Sequence, residues 1–393
     1  MRIVFFDFIL YFGGGSQLAA DTAKRLAVEH DVRVVDAYGV CAPYLKMLKE
    51  AGIRTHVLVP EVKHFFIGYQ GRKLRRIWRM ACQTPVFLRV RQRLIREIRE
   101  IDPDVIWTNS ELSLLFLGSS LRLWRYPVAM YVCGCREAAA ISRRDRWLMR
   151  HAADLLMAIS TETARQLRLV GLPEERIRIV FDTIDVQDTL RRSTAPLEAP
   201  LPGLDKRPRI LLPATLLRTK GQHTAIRAVG RMKAQGLDPV LWLAGHLTGH
   251  DRSYAEFLER LVRELDLSDN VYFLGWRDDV PAIIAQADIV VLPTHTEGFG
   301  HVILEAMLLR RPAVTTHVGG IKDSIEDGVN GLIFPVEDDA ALAIQLKRLA
   351  TDSRCVSMLV NNGYKTVMEK FNPPLHTRRV TEALRSTARS AGR

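Results

Sequence analysis

The sequence predicts an α/β protein made of two doubly wound, parallel-sheet units in tandem. Three observations lead there. Short apolar runs alternate with longer stretches of helical periodicity along the whole chain, the rhythm of βαβ units. That rhythm breaks once, at "RRSTAPLEAPLPGLDKRPR" (191–209), where four prolines interrupt the apolar pattern, and then restarts. The chain has 393 residues, a length that favours two domains at roughly 100–200 residues each.

In order, the first unit opens with "IVFFDF" (3–8), followed by Gly13, Gly14 and Gly15. Leu18, Ala19, Thr22, Ala23, Leu26 and Ala27 then recur at the spacing of one helix face. Further strand-like runs are "VRVVDA" (32–37), "THVLV" (55–59), "DVIWTN" (104–109), "VAMYV" (128–132), "LLMAIS" (155–160) and "IRIVF" (177–181). The unit is placed at 1–190 and the linker at 191–209. The second unit, 210–372, contains "ILLPAT" (210–215), "VLWLAG" (240–245), "VYFLGW" (271–276), "DIVVLPT" (288–294), "PAVTTH" (312–317) and "GLIFP" (331–335). Residues 373–393 read as a final helix with a ragged tail, expected to return to the first unit. Two such units in tandem make a cleft, and in open parallel sheets ligands bind beyond the carboxyl ends of the strands.

Composition narrows the functional classes. Apolar residues make up 47% and charged residues 25%, which suits packed cores and excludes bulk disorder. The net charge is +12, with 29 basic and 21 acidic residues in 1–190 against 27 and 23 in the remainder. Such a balance attracts polyanions: nucleic acid, anionic lipid or phosphorylated substrates. Five cysteines, Cys41, Cys82, Cys133, Cys135 and Cys355, are too few and odd in number for a disulfide framework and fit a reducing, cytoplasmic setting. The C-x-C of Cys133 and Cys135 lacks a second pair at zinc-finger spacing and reads as small buried residues. No run reaches the roughly 20 apolar residues of a membrane span, and Asp7 interrupts the only stretch resembling a signal peptide.

The segment "EGFGHVILEAMLLRRP" (297–312) carries the chemistry. A helix is expected to begin near Gly300 and to stop before Pro312. Eight helical residues rise roughly 12 Å, so Glu297 and Glu305 cannot share a proton or one ion. Each can grip a separate part of an extended ligand. Gly298 and Gly300 add amides near a helix N-terminus, where the dipole favours anions. A hexose, a diphosphate and a ribose match these parts, as in a nucleotide diphosphate sugar.

E-G-F-G followed by the second glutamate resembles the E-x7-E motif of retaining glycosyltransferases with the GT-B fold, in the large family usually numbered four. "LLPATLLRTKGQHTAIRA", "LWLAGH", "VYFLGWRDDVPAIIAQADIVVLPT" and "PAVTTHVGGIKDSIEDGVNGLIFP" are similar to that family's stretches in order and spacing. Upstream, "FGGGSQLAADTAKRLAVEHDVRVV" and "RIRIVFDTIDV" resemble its acceptor domain. The resemblance implies two Rossmann-like domains facing each other, acceptor on the first and donor on the second. It implies that Glu297 binds donor-sugar hydroxyls beside the reacting carbon, that the amides around Gly298, Phe299 and Gly300 hold the sugar, and that Glu305 binds the ribose. Arg218 and Lys220 would stabilise the diphosphate as charge builds on it. Gly14 and Gly15 would bring amides to the diphosphate, and Trp276 and Arg277 would lie near the base.

The same resemblance marks a departure. Many relatives carry a histidine after the strand read here as "VAMYV"; this chain has Cys133 there, with Arg136 and Glu137 downstream as acceptor-side candidates. Asp102 and Asp104 mimic a D-x-D metal motif but precede a strand, so a turn is the reading and no metal or cofactor is expected in the chemistry. Residues 72–99 hold ten Arg or Lys and one acid, Glu97, interleaved with Trp78, Met80, Phe87, Leu88 and Leu94. That pattern suits the anionic inner face of a membrane, and equally a solvated helix pair with snorkelling arginines. No nucleic-acid motif accompanies the charge. The expected activity is hexose-type transfer to a glycan, lipid-linked or small-molecule acceptor in cell-envelope polysaccharide or glycoconjugate synthesis. A nucleotide-sugar epimerase of the same fold and a non-catalytic nucleotide-sugar- or membrane-binding protein are the alternatives.

Overall fold

The computed structural model describes residues 1–11, 13–61, 73–118, 126–134, 136–204, 206–246 and 252–390, side chains of 14 and 73–83 aside. Its thirteen described strands form two all-parallel sheets. In the first, Arg2–Asp7 (β1), Asp31–Asp36 (β2), Arg54–Val57 (β3), Val105–Thr108 (β4), Val128–Val132 (β5), Leu155–Ala158 (β6) and Ile177–Ile179 (β7) lie in the order β3-β2-β1-β4-β5-β6-β7. In the second, Arg209–Pro213 (β8), Val240–Ala244 (β9), Val271–Gly275 (β10), Ile289–Leu292 (β11), Ala313–Thr316 (β12) and Leu332–Phe334 (β13) lie in the order β10-β9-β8-β11-β12-β13. Each apolar run read from the sequence is one of these strands. The central ones are buried on both faces: "VIWT" of β4 and "IVVL" of β11 have no exposed residue. Helix-covered parallel sheets require that pattern, and each such side chain contributes about 1.5–3 kcal/mol by leaving water.

Both sheets reverse their strand order at one place, β1 beside β4 and β8 beside β11. Loops leaving the carboxyl ends of those strands diverge, and a ligand can enter there.

The chain divides at Val180 and Phe181, not at residue 190: one unit holds Met1–Ile159, Thr163–Val180 and Thr377–Arg393, the other Ser160–Glu162 and Phe181–His376. The proline-rich stretch 191–209 is also less of a free linker than its composition suggests. The helix Val186–Ser193 occupies its start, Leu201 is buried, the Glu198 amide donates to Asp279 at 2.8 Å, and the Trp242 indole donates to the Pro202 carbonyl at 2.9 Å. The prolines end regular structure there without freeing the chain. The final helix runs Pro373–Ser390, and from Thr377 it groups with the first unit.

The basic segment 72–99 lies partly outside the described residues, Trp78 and Met80 included. The helix Lys73–Ile101 covers most of it. In its described half Val90, Leu94, Ile98 and Ile101 are buried in the first core while Arg89, Arg93, Arg96 and Arg99 face outward. Arg89 and Arg93 pair with Glu61 at 3.6 and 3.2 Å. Among the described residues no helix is long and apolar enough to cross a membrane.

Candidate functional site

In the second unit the loops after β8 and β11 are stitched together. After β8 the chain makes a tight turn, Arg218–Lys220, and Gly221 then adopts φ 70° to open the helix Gln222–Ala234. A Cβ at Gly221 would lie 2.0 Å from the Pro293 carbonyl oxygen, so a side chain there would separate the two loops. The His295 amide donates to the Thr219 carbonyl at 2.8 Å, and the Thr294 hydroxyl donates to the same oxygen at 3.1 Å. This brings Lys220 and Glu297 together: Nζ donates to Oε2 at 2.6 Å, with side chains 24% and 17% exposed. A charge-assisted bond in so shielded a place is worth about 1.5–3 kcal/mol. Arg218 stays exposed, its guanidinium 5.6 Å from the centroid of the Phe257 ring.

Glu297 Oε1 also accepts from the Gly298 amide at 3.1 Å. Gly300 caps the helix His301–Leu308 at φ 83°. The amides of Phe299 and Gly300 donate to no acceptor among the described residues, so two donors remain beside the carboxylate. The Glu297–Phe299 backbone rests directly on Gly319 and Gly320: a Cβ at Gly319 would fall 1.7 Å from the Glu297 oxygen. Glu305 is half-buried one turn along the helix and makes no side-chain hydrogen bond among the described residues. Burial, opposed by His301 and Arg192, raises its carboxyl pKa.

Sequence reasoning missed a second ion pair of this region. His301 Nε2 meets Asp182 Oδ2 at 2.6 Å, and the Asp182 side chain is 1% exposed. Burial alone would lower the His301 pKa; the Asp182 carboxylate, with Glu305 and Glu297 adding, instead raises it to about 9. Burial would raise Asp182, and His301 overrides it to hold the carboxyl below its usual range. At neutral pH the pair is therefore imidazolium and carboxylate, with a cation beside both predicted glutamates. The rings of Phe181, Phe299 and Phe371 pack beneath it. The histidine following E-G-F-G was the available signal, since no sequence pattern joins it to an aspartate 119 positions away.

The two residues after β10 differ in role. Trp276 is 62% exposed, its indole donating to Asp278 at 3.0 Å and its ring edge-on to His246. Arg277 is buried. It makes a bidentate pair with Asp279 at 2.6 and 2.7 Å and donates to the Ala199 carbonyl, so its fork is already occupied.

In the first unit the glycine stretch sits at the carboxyl end of β1. The Gly13 amide donates to the Ser16 hydroxyl at 2.8 Å, and Gly14 starts the helix Gly14–Leu26. A Cβ at Gly15 would meet nothing within 4 Å, so no neighbour within this unit demands a glycine there. Nearby, buried Asp7 accepts from the Ser110 and Ser113 hydroxyls at 2.6 and 2.8 Å, linking β1 to the loop after β4. Cys133 is half-buried after β5, while Cys135 lies outside the described residues. Arg136 is exposed, pairs with Glu111 and lies 3.8 Å from Asp145. Glu137 is exposed. Asp102 and Asp104 hold Arg2, at 3.2 Å through its side chain and 2.8 Å through its amide, and form the turn into β4.

Comparison with known proteins agrees with this architecture. Residues 198–366 match the family described as glycosyl transferases group 1, and residues 12–188 match glycosyltransferase family 4. The alpha-D-kanosaminyltransferase of Streptomyces kanamyceticus is 30% identical over 65% of this chain and 66% of its own length. The lipopolysaccharide core biosynthesis glycosyltransferase LpsE of Rhizobium meliloti is 27% identical over 56% of this chain and 60% of its own. The chain thus spans about three fifths of the length of these curated relatives. Among solved structures, Anabaena HepE in complex with UDP superposes with a TM-score of 0.80 over 98% of this chain and 100% of that one, at 22% identity. The shared fold is two Rossmann-like units of the GT-B kind.

Proposed function

Because the chain belongs to the glycosyl transferases group 1 family, we propose that it transfers a hexose-type sugar from a nucleotide diphosphate sugar, with retention of configuration. The observation that carries the reading is the Lys220–Glu297 pair at the β8/β11 switch point, 2.6 Å apart beside two unused amides. A sugar hydroxyl can take over one Glu297 oxygen, and the amides of Phe299 and Gly300 are placed for its neighbours. Lys220 and Arg218 supply fixed positive charge where the diphosphate would depart, so leaving-group stabilisation needs no metal in this scheme. Glu305, half-buried and without a side-chain hydrogen bond among the described residues, is suited to ribose hydroxyls, and exposed Trp276 to the base. His301, held charged by Asp182, adds a further cation near Glu305 and Glu297. It was not among the residues expected to take part.

No second carboxylate stands out in the sequence as a covalent nucleophile, which favours attack from the face the leaving phosphate vacates. An isolable glycosyl-enzyme would overturn that step. One relative is named for lipopolysaccharide core biosynthesis, which supports a glycan, lipid-linked or small-molecule acceptor in cell-envelope synthesis. The acceptor candidates Cys133, Arg136 and Glu137 and the glycines Gly14 and Gly15 belong to this proposal through the family pattern alone. So does contact of the 72–99 segment with an anionic membrane, which selective binding to anionic over neutral liposomes would support.

A thermal-shift panel of nucleotides and nucleotide sugars, beginning with UDP and GDP forms, tests the donor site. A ligand at a hundred times its dissociation constant adds roughly 2.7 kcal/mol. Glu297→Ala should abolish transfer and spare nucleotide affinity; undiminished turnover refutes the assignment. Epimerised donor in the absence of any acceptor would favour the epimerase reading.

A further inference from the structure

We propose that His223, His295 and Glu337 form a binding site for a zinc-class divalent cation, at the base of the Arg218–Lys220 turn and outside the transfer chemistry. Their ligating atoms all lie within 4.8 Å of one another. Glu337 Oε1 is 3.7 Å from Nε2 of His223 and 3.7 Å from Nε2 of His295. That is too long for a hydrogen bond. It is close to the roughly 3.3–3.6 Å edge between ligands bonded at about 2.0–2.2 Å in a tetrahedral zinc site.

The orientation of the rings supports the same conclusion. The Tyr254 hydroxyl lies 3.2 Å from Gln222 Oε1, an atom that can only accept, so its proton points there. It therefore accepts from His223 Nδ1 at 2.9 Å, which leaves the Nε2 lone pair facing the carboxylate. A hydrogen bond to the far nitrogen is how proteins fix a metal-binding imidazole. His295 Nε2 is buried without a hydrogen bond. Glu337 adopts φ 63°, a region uncommon for a residue with a side chain. The Glu337 carboxylate and the His223 Nε2 lone pair thus converge with His295 Nε2, which has no hydrogen-bond partner among the described residues. Two imidazoles and one carboxylate, with the fourth position open to water, is a donor set for zinc and not for magnesium, which prefers six oxygens.

The site joins three segments: the start of the helix Gln222–Ala234, the loop after β11 and the loop after β13. Through the His295 amide on Thr219, a bound ion braces the turn that presents Arg218 and Lys220. The test uses untagged, metal-stripped full-length protein and Zn²⁺ alone, by titration against a chromophoric chelator and by metal analysis after dialysis. One tightly held zinc per chain is expected, with a rise in Tm that Mg²⁺ does not give. Glu337→Gln removes a surface carboxylate and should keep the metal-free Tm while weakening zinc binding about tenfold or more; His295→Ala should do the same. Absence of stoichiometric zinc, or equal affinity in wild type and Glu337→Gln, overturns the site.

Discussion

Replacing Asp182 by Asn keeps the shape of the His301 contact and removes its charge, and the effect should depend on pH in a defined direction. The Asp182 carboxylate, opposing burial, raises the His301 pKa from 6.5 to about 9. At about 1.4 kcal/mol per pH unit the ceiling is about 3 kcal/mol. The His301 side chain is 37% exposed, so solvent screening reduces the figure, and about 1–2 kcal/mol is the working value. Because the folded pKa is raised, the stabilisation is complete below about 6.5 and is lost as pH rises through about 9. Urea unfolding of both proteins should therefore show the wild-type advantage largest at pH 6 and smaller by about 1–2 kcal/mol at pH 10. Histidine-selective NMR, with His301→Gln for assignment, should find one wild-type resonance titrating near 9 that moves below 7 in Asp182→Asn. A stability difference that is flat with pH, or a wild-type His301 titrating near 6.5, would refute the reasoning.

Three further outcomes follow from the geometry. Lys220→Met breaks the pair with Glu297 and should weaken UDP or GDP binding about ten- to a hundredfold, as expected for a charged bond of about 1.5–3 kcal/mol; isothermal titration with the nucleotide reads it, and unchanged affinity removes Lys220 from the diphosphate. Gly319→Ala sets a methyl 1.7 Å from the Glu297 oxygen at φ 53° and should lower stability by about 2 kcal/mol or more while abolishing donor binding, read by denaturant melts and thermal shift. Arg277→Ala leaves Asp279 buried without its partner and should cost about 3 kcal/mol of stability, with the nucleotide Kd unchanged. A loss of affinity without a loss of stability in that variant would return Arg277 to the ligand.

The strands were legible because a sheet buried on both faces leaves an uninterrupted apolar run in the sequence, as in "IVVL" and "VLWLA". The Glu297 loop was legible because glycines, an acid and a helix start share one short stretch. What could not be read was pairing across long separations. His301 looks like any first-turn residue until the chain brings Asp182 to it. Composition misdirected in one place. The prolines of 191–209 suggested a free linker, yet Leu201 is buried and the Glu198 and Pro202 backbones are hydrogen-bonded. The resemblance put Arg277 near the base, and the aspartate that occupies its guanidinium stands only two positions on, in "WRDD". Gly319 and Gly320 passed unnoticed because the need for a missing side chain is visible only when the Glu297 backbone is seen lying against them.

The grouping of the final helix has a consequence for modular exchange. Since the stretch from Thr377 belongs with the amino-terminal sheet, no single cut yields both halves intact. A chimera that replaces only the carboxyl-terminal portion would import a foreign tail onto the amino-terminal half. A graft that takes Phe181 to His376 and keeps the host's own last helix should be the better-folded hybrid.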